Sequence, residues 1–164
     1  MSLSMPPWLP PLFNVSPWDQ NTYDLLYEIF HRDFIATKTY CRQSHVGVSN
    51  ALVDGKEKTF WHITTREDKK QAQRLPDFRR SERLPWLKQI LENSHEPEIL
   101  AWEYIEGDGS INLYIWLKAH DYIAILKKIK KRYVVLVTAY WIEFPNTKRK
   151  LMKKYNARNK EANA

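Results

Sequence analysis

Five residues of this chain, His62, Arg80, Arg83, Thr138 and Tyr140, are of the types needed to cleave an RNA phosphodiester without a metal. That reaction takes a proton from the 2′-hydroxyl, returns one to the 5′-oxygen and stabilises a crowded phosphorane. Histidine suits the proton transfers because its pKa lies near neutrality. Arginine suits the phosphate because its planar fork is always charged and binds two oxygens at once. A Thr or Tyr hydroxyl can donate to a non-bridging oxygen, and a preorganised donor is worth about 3 kcal/mol in such a transition state. Thr138 and Tyr140 lie two apart in a β-rich run, which places both on one strand face. His62 lies in Phe-Trp-His-Ile-Thr, where alternation would put Phe60 and His62 on one face and Trp61 and Ile63 on the other. Each residue also has a purely structural reading. An isolated histidine packs in cores, Arg79, Arg80 and Arg83 suit a solvated salt-bridged face, and Thr and Tyr are ordinary strand residues.

The charge distribution favours a polyanionic partner. Residues 1–126 carry 14 Lys and Arg against 17 Asp and Glu, whereas residues 127–164 carry 12 against 2. The excess forms two clusters. Lys127, Lys128, Lys130, Lys131 and Arg132 precede the Thr138 strand, and Lys148, Arg149, Lys150, Lys153 and Lys154 follow it. Basic banks on either side of a strand can hold a nucleic-acid backbone across it, and such contacts position the polymer without reading its sequence. RNA is therefore the expected partner, with DNA as the alternative for a domain that binds without cutting. Seven Trp and nine Tyr supply packing and, where exposed, surfaces on which bases stack.

Other chemistries find little footing. The single cysteine, Cys41, excludes an intramolecular disulfide and a multi-thiolate metal site, and points to a reducing, cytoplasmic setting. His31, His45, His62, His95 and His120 include no pair at helical i, i+4 spacing and no carboxylate arrangement of a two-metal nuclease. The four glycines form no phosphate loop. No metal and no cofactor is expected, nor any membrane span or signal peptide.

The elements that must position these residues follow from periodicity. Residues 1–16 form a Pro/Trp-rich extended arm lying on the body of the domain or on a partner, and residues 17–160 form a single domain. Ser16-Pro17-Trp18-Asp19 opens an amphipathic helix over 17–35 that buries Leu25, Leu26, Ile29, Phe30 and Phe34. Residues 37–65 read as β-rich, with a turn at Asp54-Gly55 and a strand over 58–64. Residues 66–80 read as a loop or short solvated helix, and 81–93 as a second amphipathic helix with Pro85 in its first turn. Four strands follow, at 98–106, 111–118, 122–128 and 133–144, the first two joined by Gly107-Asp108-Gly109-Ser110. Pro145 ends the last strand, and Asn146 or Thr147 caps a short basic helix to about Asn159. The fold class is α+β: N-terminal helices packed on a twisted four-stranded antiparallel meander, with a short basic C-terminal helix.

Three segments carry a resemblance. Phe60-Trp61-His62-Ile63-Thr64-Thr65-Arg66, Arg80-Ser81-Glu82-Arg83-Leu84-Pro85-Trp86 and Tyr133-Val134-Val135-Leu136-Val137-Thr138-Ala139-Tyr140, in this order, resemble the phage- and prophage-encoded branch of the barnase/EndoU/colicin/RelE-like nuclease superfamily. The likeness covers roughly residues 55–155. It implies a metal-independent endoribonuclease, toxin- or effector-like, acting by 2′-hydroxyl attack; a separate protein-interaction reading has the Pro/Trp-rich arm bind a partner and the basic tail engage an acidic antitoxin or immunity protein. The resemblance also implies that His62 is the general base or acid, that Arg80 and Arg83 contact the scissile phosphate, and that Thr138 and Tyr140 orient it. The doubled Arg79-Arg80 leaves the register there open by one residue. Fold transfers more safely than chemistry.

Overall fold

In the computed structural model, residues 4–158 and Asn163 are described, and they form five α-helices and ten strands. Helix α1 (Gln20–His31) opens on a capping box. Asp19 accepts from the Thr22 amide at 3.1 Å, and Thr22 Oγ1 accepts from the Asp19 amide at 3.3 Å. The cap is thus Asp19, three residues later than Ser16, because a carboxylate aimed at the N3 amide defines the helix start. Leu26, Phe30 and Phe34 are buried, while Leu25 is exposed. Phe34 lies in a π-helical turn over Arg32–Ala36.

Strands β1 (Tyr40–Cys41), β2 (Ser44–Gly47), β3 (Leu52–Val53) and β4 (Lys56–Glu57) follow, the last two flanking the Asp54-Gly55 turn. The expected strand over 58–64 is instead helix α2 (Lys58–Thr64). Phe60, Ile63 and Thr64 are buried at i, i+3, i+4, and this helical spacing overrides the β-propensity of Thr, Trp and Ile. The polar stretch expected as a loop or helix is a hairpin of β5 (Thr65–Asp68) and β6 (Gln73–Pro76). Helices α3 (Phe78–Glu82) and α4 (Leu84–Glu92) come next, with Asp77 capping α3 through the Arg80 amide at 3.0 Å.

Strands β7 (Ile99–Ile105), β8 (Ile111–Leu117), β9 (Tyr122–Lys130) and β10 (Tyr133–Trp141) pair antiparallel in succession. The sheet has six strands rather than four, in the order β1-β2-β10-β9-β8-β7, because β2 joins β10 in parallel and β1 pairs outside it. Helix α5 (Pro145–Asn156) is the last element among the described residues. Phe144 is its N-cap and Pro145 its first residue, a position where proline's missing amide costs nothing. The expected helix end at Asn159 and domain end at 160 lie outside the described residues.

The sheet is buried on both faces. On one, Leu113, Ile115, Ala124, Leu126, Leu136 and Ala139 pack with Leu26 and Phe30 of α1, Phe60 and Ile63 of α2, and Leu87 and Ile90 of α4. On the other, Trp102, Tyr114, Trp116, Ile123 and Ile142 pack under Leu151 of α5. The N-terminal arm lies along α3 and α4. Trp86 Nε1 donates to the Pro10 carbonyl at 2.8 Å, the Phe13 amide donates to Glu82 at 2.8 Å, and Leu9 is buried.

Candidate functional site

The junction of α2 with the edge of β10 gathers several of the residues singled out in the sequence. The C-terminal turn of α2 exposes carbonyls that have no intrahelical donor. Arg80 supplies one: Nη1 donates to the carbonyls of His62 at 2.7 Å and Thr65 at 2.8 Å. Its Nε stands 3.3 Å from Asp77 Oδ2, and its guanidinium lies 5.6 Å from the Tyr140 ring. Thr138 Oγ1 also donates to the His62 carbonyl, at 3.4 Å. Arg80 and Thr138 therefore bond to the His62 backbone, and Tyr140 joins them through the Arg80 guanidinium.

The imidazole is turned into a separate cleft of about 490 Å³. Tyr23 of α1, Val53 and Asp54 of the β3–β4 turn, and Lys58 and Trp61 of α2 form part of its wall. Thr65, Glu67 and Arg74 of the β5–β6 hairpin form the rest, and Arg80, Arg83, Thr138 and Tyr140 do not line it. Because α2 is a helix, Trp61 and His62 face this cleft together while Phe60 goes to the core; the strand assignment had separated Trp61 from His62. Trp61 Nε1 donates to the Val53 carbonyl at 2.8 Å, which holds the β3–β4 turn at the cleft mouth.

The electrostatics of the cleft favour a neutral histidine beside fixed positive charge. Burial pushes the His62 pKa below its ordinary value, and Arg74, Lys58 and Arg80 push it further, against the weaker opposing pull of Glu67. Arg74 is fixed by two bonds to Thr65, from Nε to Oγ1 at 2.7 Å and from Nη2 to the carbonyl at 2.8 Å. Its Nη1 makes no hydrogen bond to the described residues and remains available to an anion. Lys58, Glu67 and Arg74 were not identified from sequence. Arg74 sat in a stretch read as solvated loop, and only recognition of the β5–β6 pairing brings it beside His62.

Arg83 departs furthest from expectation. It is buried, its Nη1 donates to Glu82 Oε1 at 2.7 Å and to the Arg79 carbonyl at 3.1 Å, and its guanidinium packs on Trp86 and Trp141. The basic residues divide similarly. Lys128 pairs with Glu103 at 2.9 Å and Lys148 with Asp121 at 2.8 Å. Lys127, Lys130, Lys131, Arg132, Arg149 and Lys150 are exposed and pair with no carboxylate among the described residues. Those described residues also include no group of three or more side chains able to hold a metal ion, and no helix long and apolar enough to cross a membrane. Comparison of the chain with protein-family models, with curated proteins and with solved structures finds no match.

Proposed function

We propose that this protein is a metal-independent endoribonuclease whose reaction is centred on the His62 cleft. The observation that carries the reading is the His62 imidazole itself. It is half-buried, biased towards its neutral form, and opens with Lys58 and Arg74 onto a space large enough for a nucleotide. A neutral imidazole accepts the 2′-hydroxyl proton while the O2′–P bond forms and the P–O5′ bond breaks, giving a 2′,3′-cyclic phosphate and a 5′-hydroxyl. Lys58 and Arg74 stabilise the phosphorane charge, and Lys58 or solvent protonates the leaving oxygen. Tyr23 and Trp61, 5.8 Å apart, offer ring surface to a base. Arg80 and Thr138 act as supports that fix the end of α2.

The ties made by Arg80, Arg83 and Thr138 within the protein favour a second reading, in which the same fold binds RNA or DNA without cutting it. Labelled single-stranded RNA incubated with the protein and EDTA separates the two. The nuclease reading expects cyclic-phosphate products that disappear with a 2′-deoxy substrate and with His62→Ala. Wild-type cleavage by His62→Ala would remove His62 from the chemistry, and salt-sensitive binding without products would establish the second reading.

A further inference from the structure

A second cavity, of about 470 Å³, shares no lining residue with the His62 cleft. It lies between the 3-10 turn Lys118–His120, which follows β8, and one flank of α5. Lys148, Arg149, Met152 and Lys153 sit at i, i+1, i+4 and i+5 of that helix, so they share a flank. Lys118 faces them across the cavity, and Met152 supplies apolar wall.

The charge here is unbalanced. Asp121 is the one acid lining the cavity, and it is already paired with Lys148 at 2.8 Å. Lys118 lies 5.8 Å from the Trp116 ring centroid, and Arg149 donates only to Asn146 Oδ1, at 3.2 Å. Lys118, Arg149 and Lys153 have no carboxylate partner among the described residues. Three cations without a carboxylate partner beside the side chain of Met152 suit a ligand that carries concentrated negative charge at one end and a partly apolar group at the other.

We propose that this cavity is a binding site for a nucleotide phosphate, either the phosphorylated end of an RNA strand or a free nucleotide. The proposal rests on the nucleic-acid reading of the protein but requires no cleavage, and it differs from backbone contact by the exposed lysines because it selects a terminal phosphate. Three probes test it by calorimetry at low salt: 5′-phosphorylated 2′-O-methyl oligouridine, the same strand with a 5′-hydroxyl, and free uridine 5′-monophosphate. The methylated strands carry no attacking hydroxyl, so cleavage does not interfere. The phosphorylated strand should bind about tenfold tighter than the hydroxyl strand. The double variant Arg149→Ala/Lys153→Ala should erase that difference, and His62→Ala should leave it intact. Saturable binding of the free nucleotide, lost in the double variant, assigns the site to free nucleotides as well as strand ends. Equal affinity for the two strands, with no binding of the free nucleotide, overturns the proposal. Failure of the nuclease reading shows separately, as absence of cyclic-phosphate products.

Discussion

At the scale of residues, Arg74 and Arg80 divide the work that the sequence assigned to arginines near the phosphate. Arg80 spends its Nη1 on two backbone carbonyls and its side chain is only 19% exposed. Replacing it with Gln should therefore reduce stability. A charged donor to part-buried carbonyls contributes about 1.5–3 kcal/mol, and its loss leaves the His62 carbonyl only the 3.4 Å bond from Thr138 and the Thr65 carbonyl only the bond from Arg74. Thermal unfolding of Arg80→Gln tests this, and a variant that melts like wild type yet cannot cleave would reassign Arg80 to the substrate. Arg74 should act on His62 as well as on the phosphorane. The nuclease reading needs the neutral imidazole, so activity rises as pH climbs through the His62 pKa. Burial and the neighbouring cations hold that pKa below 6.5, and the acid limb of the rate profile should lie below that pH. In Arg74→Gln one of the depressing charges is gone, so the limb should move up towards 6.5. A limb that stays in place would show that the group titrating in the profile is not His62.

At the scale of elements, legibility followed length and pattern. Strands β7 to β10 could be read within a few residues because each is a run of seven or nine positions rich in β-branched and aromatic side chains. Helix α4 was equally plain from Leu84, Leu87, Ile90 and Leu91. Helix α2 was not, because seven residues satisfy both periods, and the deciding contacts come from outside. The Ala51 carbonyl receives the Lys58 amide at 2.8 Å, and Arg80 caps the other end. The β5–β6 hairpin was hidden for a related reason: Ala72 supplies a left-handed turn residue, with φ of 51°, where Gly or Asn would have signalled one. Helix α5 was foreseen as basic, but its attachment was not. Lys154 donates to Glu106 Oε2 at 2.9 Å and to Tyr114 Oη at 2.9 Å, and Tyr114 donates to Glu106 Oε1. Burial alone would raise the Glu106 carboxyl, but the Tyr114 and Lys154 bonds hold it below its ordinary value. Burial likewise opposes charge on Lys154, and its bonds to Tyr114 and Glu106 raise it nonetheless. The cluster's contribution is thus complete between the ordinary carboxylate and ammonium ranges. It fades as pH falls through the lowered Glu106 value or rises through the raised Lys154 value. Glu106→Gln should cost about 1 kcal/mol near neutrality, the scale of a part-exposed ion pair, and flatten the acid limb of stability against pH. An unchanged acid limb in denaturant titrations would show that other carboxylates govern acid unfolding.

At the scale of the whole molecule, the fold sets its exposed cations at both ends of β10, whose nine residues span about 26 Å at 3.3 Å per residue. Lys130, Lys131 and Arg132 stand at the start of the strand, and Arg149 and Lys150 stand beyond its end. A strand of RNA long enough to meet both banks releases counterions at each, so its affinity should fall steeply with salt. For single strands the slope of log K against log salt is about −0.7 per phosphate neutralised, so removing three contacts should flatten it by about 2. The appropriate variant is Lys130→Ala/Lys131→Ala/Arg132→Asn. Arg132 has a φ of 62°, a left-handed conformation that asparagine tolerates and alanine resists. The loss should be the same for oligonucleotides of different sequence, because phosphate contacts carry no base information. It should also shrink for strands too short to span 26 Å, since these engage one bank at a time. A slope unchanged by the triple variant would place the RNA on the α5 side alone, where Lys118, Arg149 and Lys153 already frame a phosphate-sized demand for negative charge.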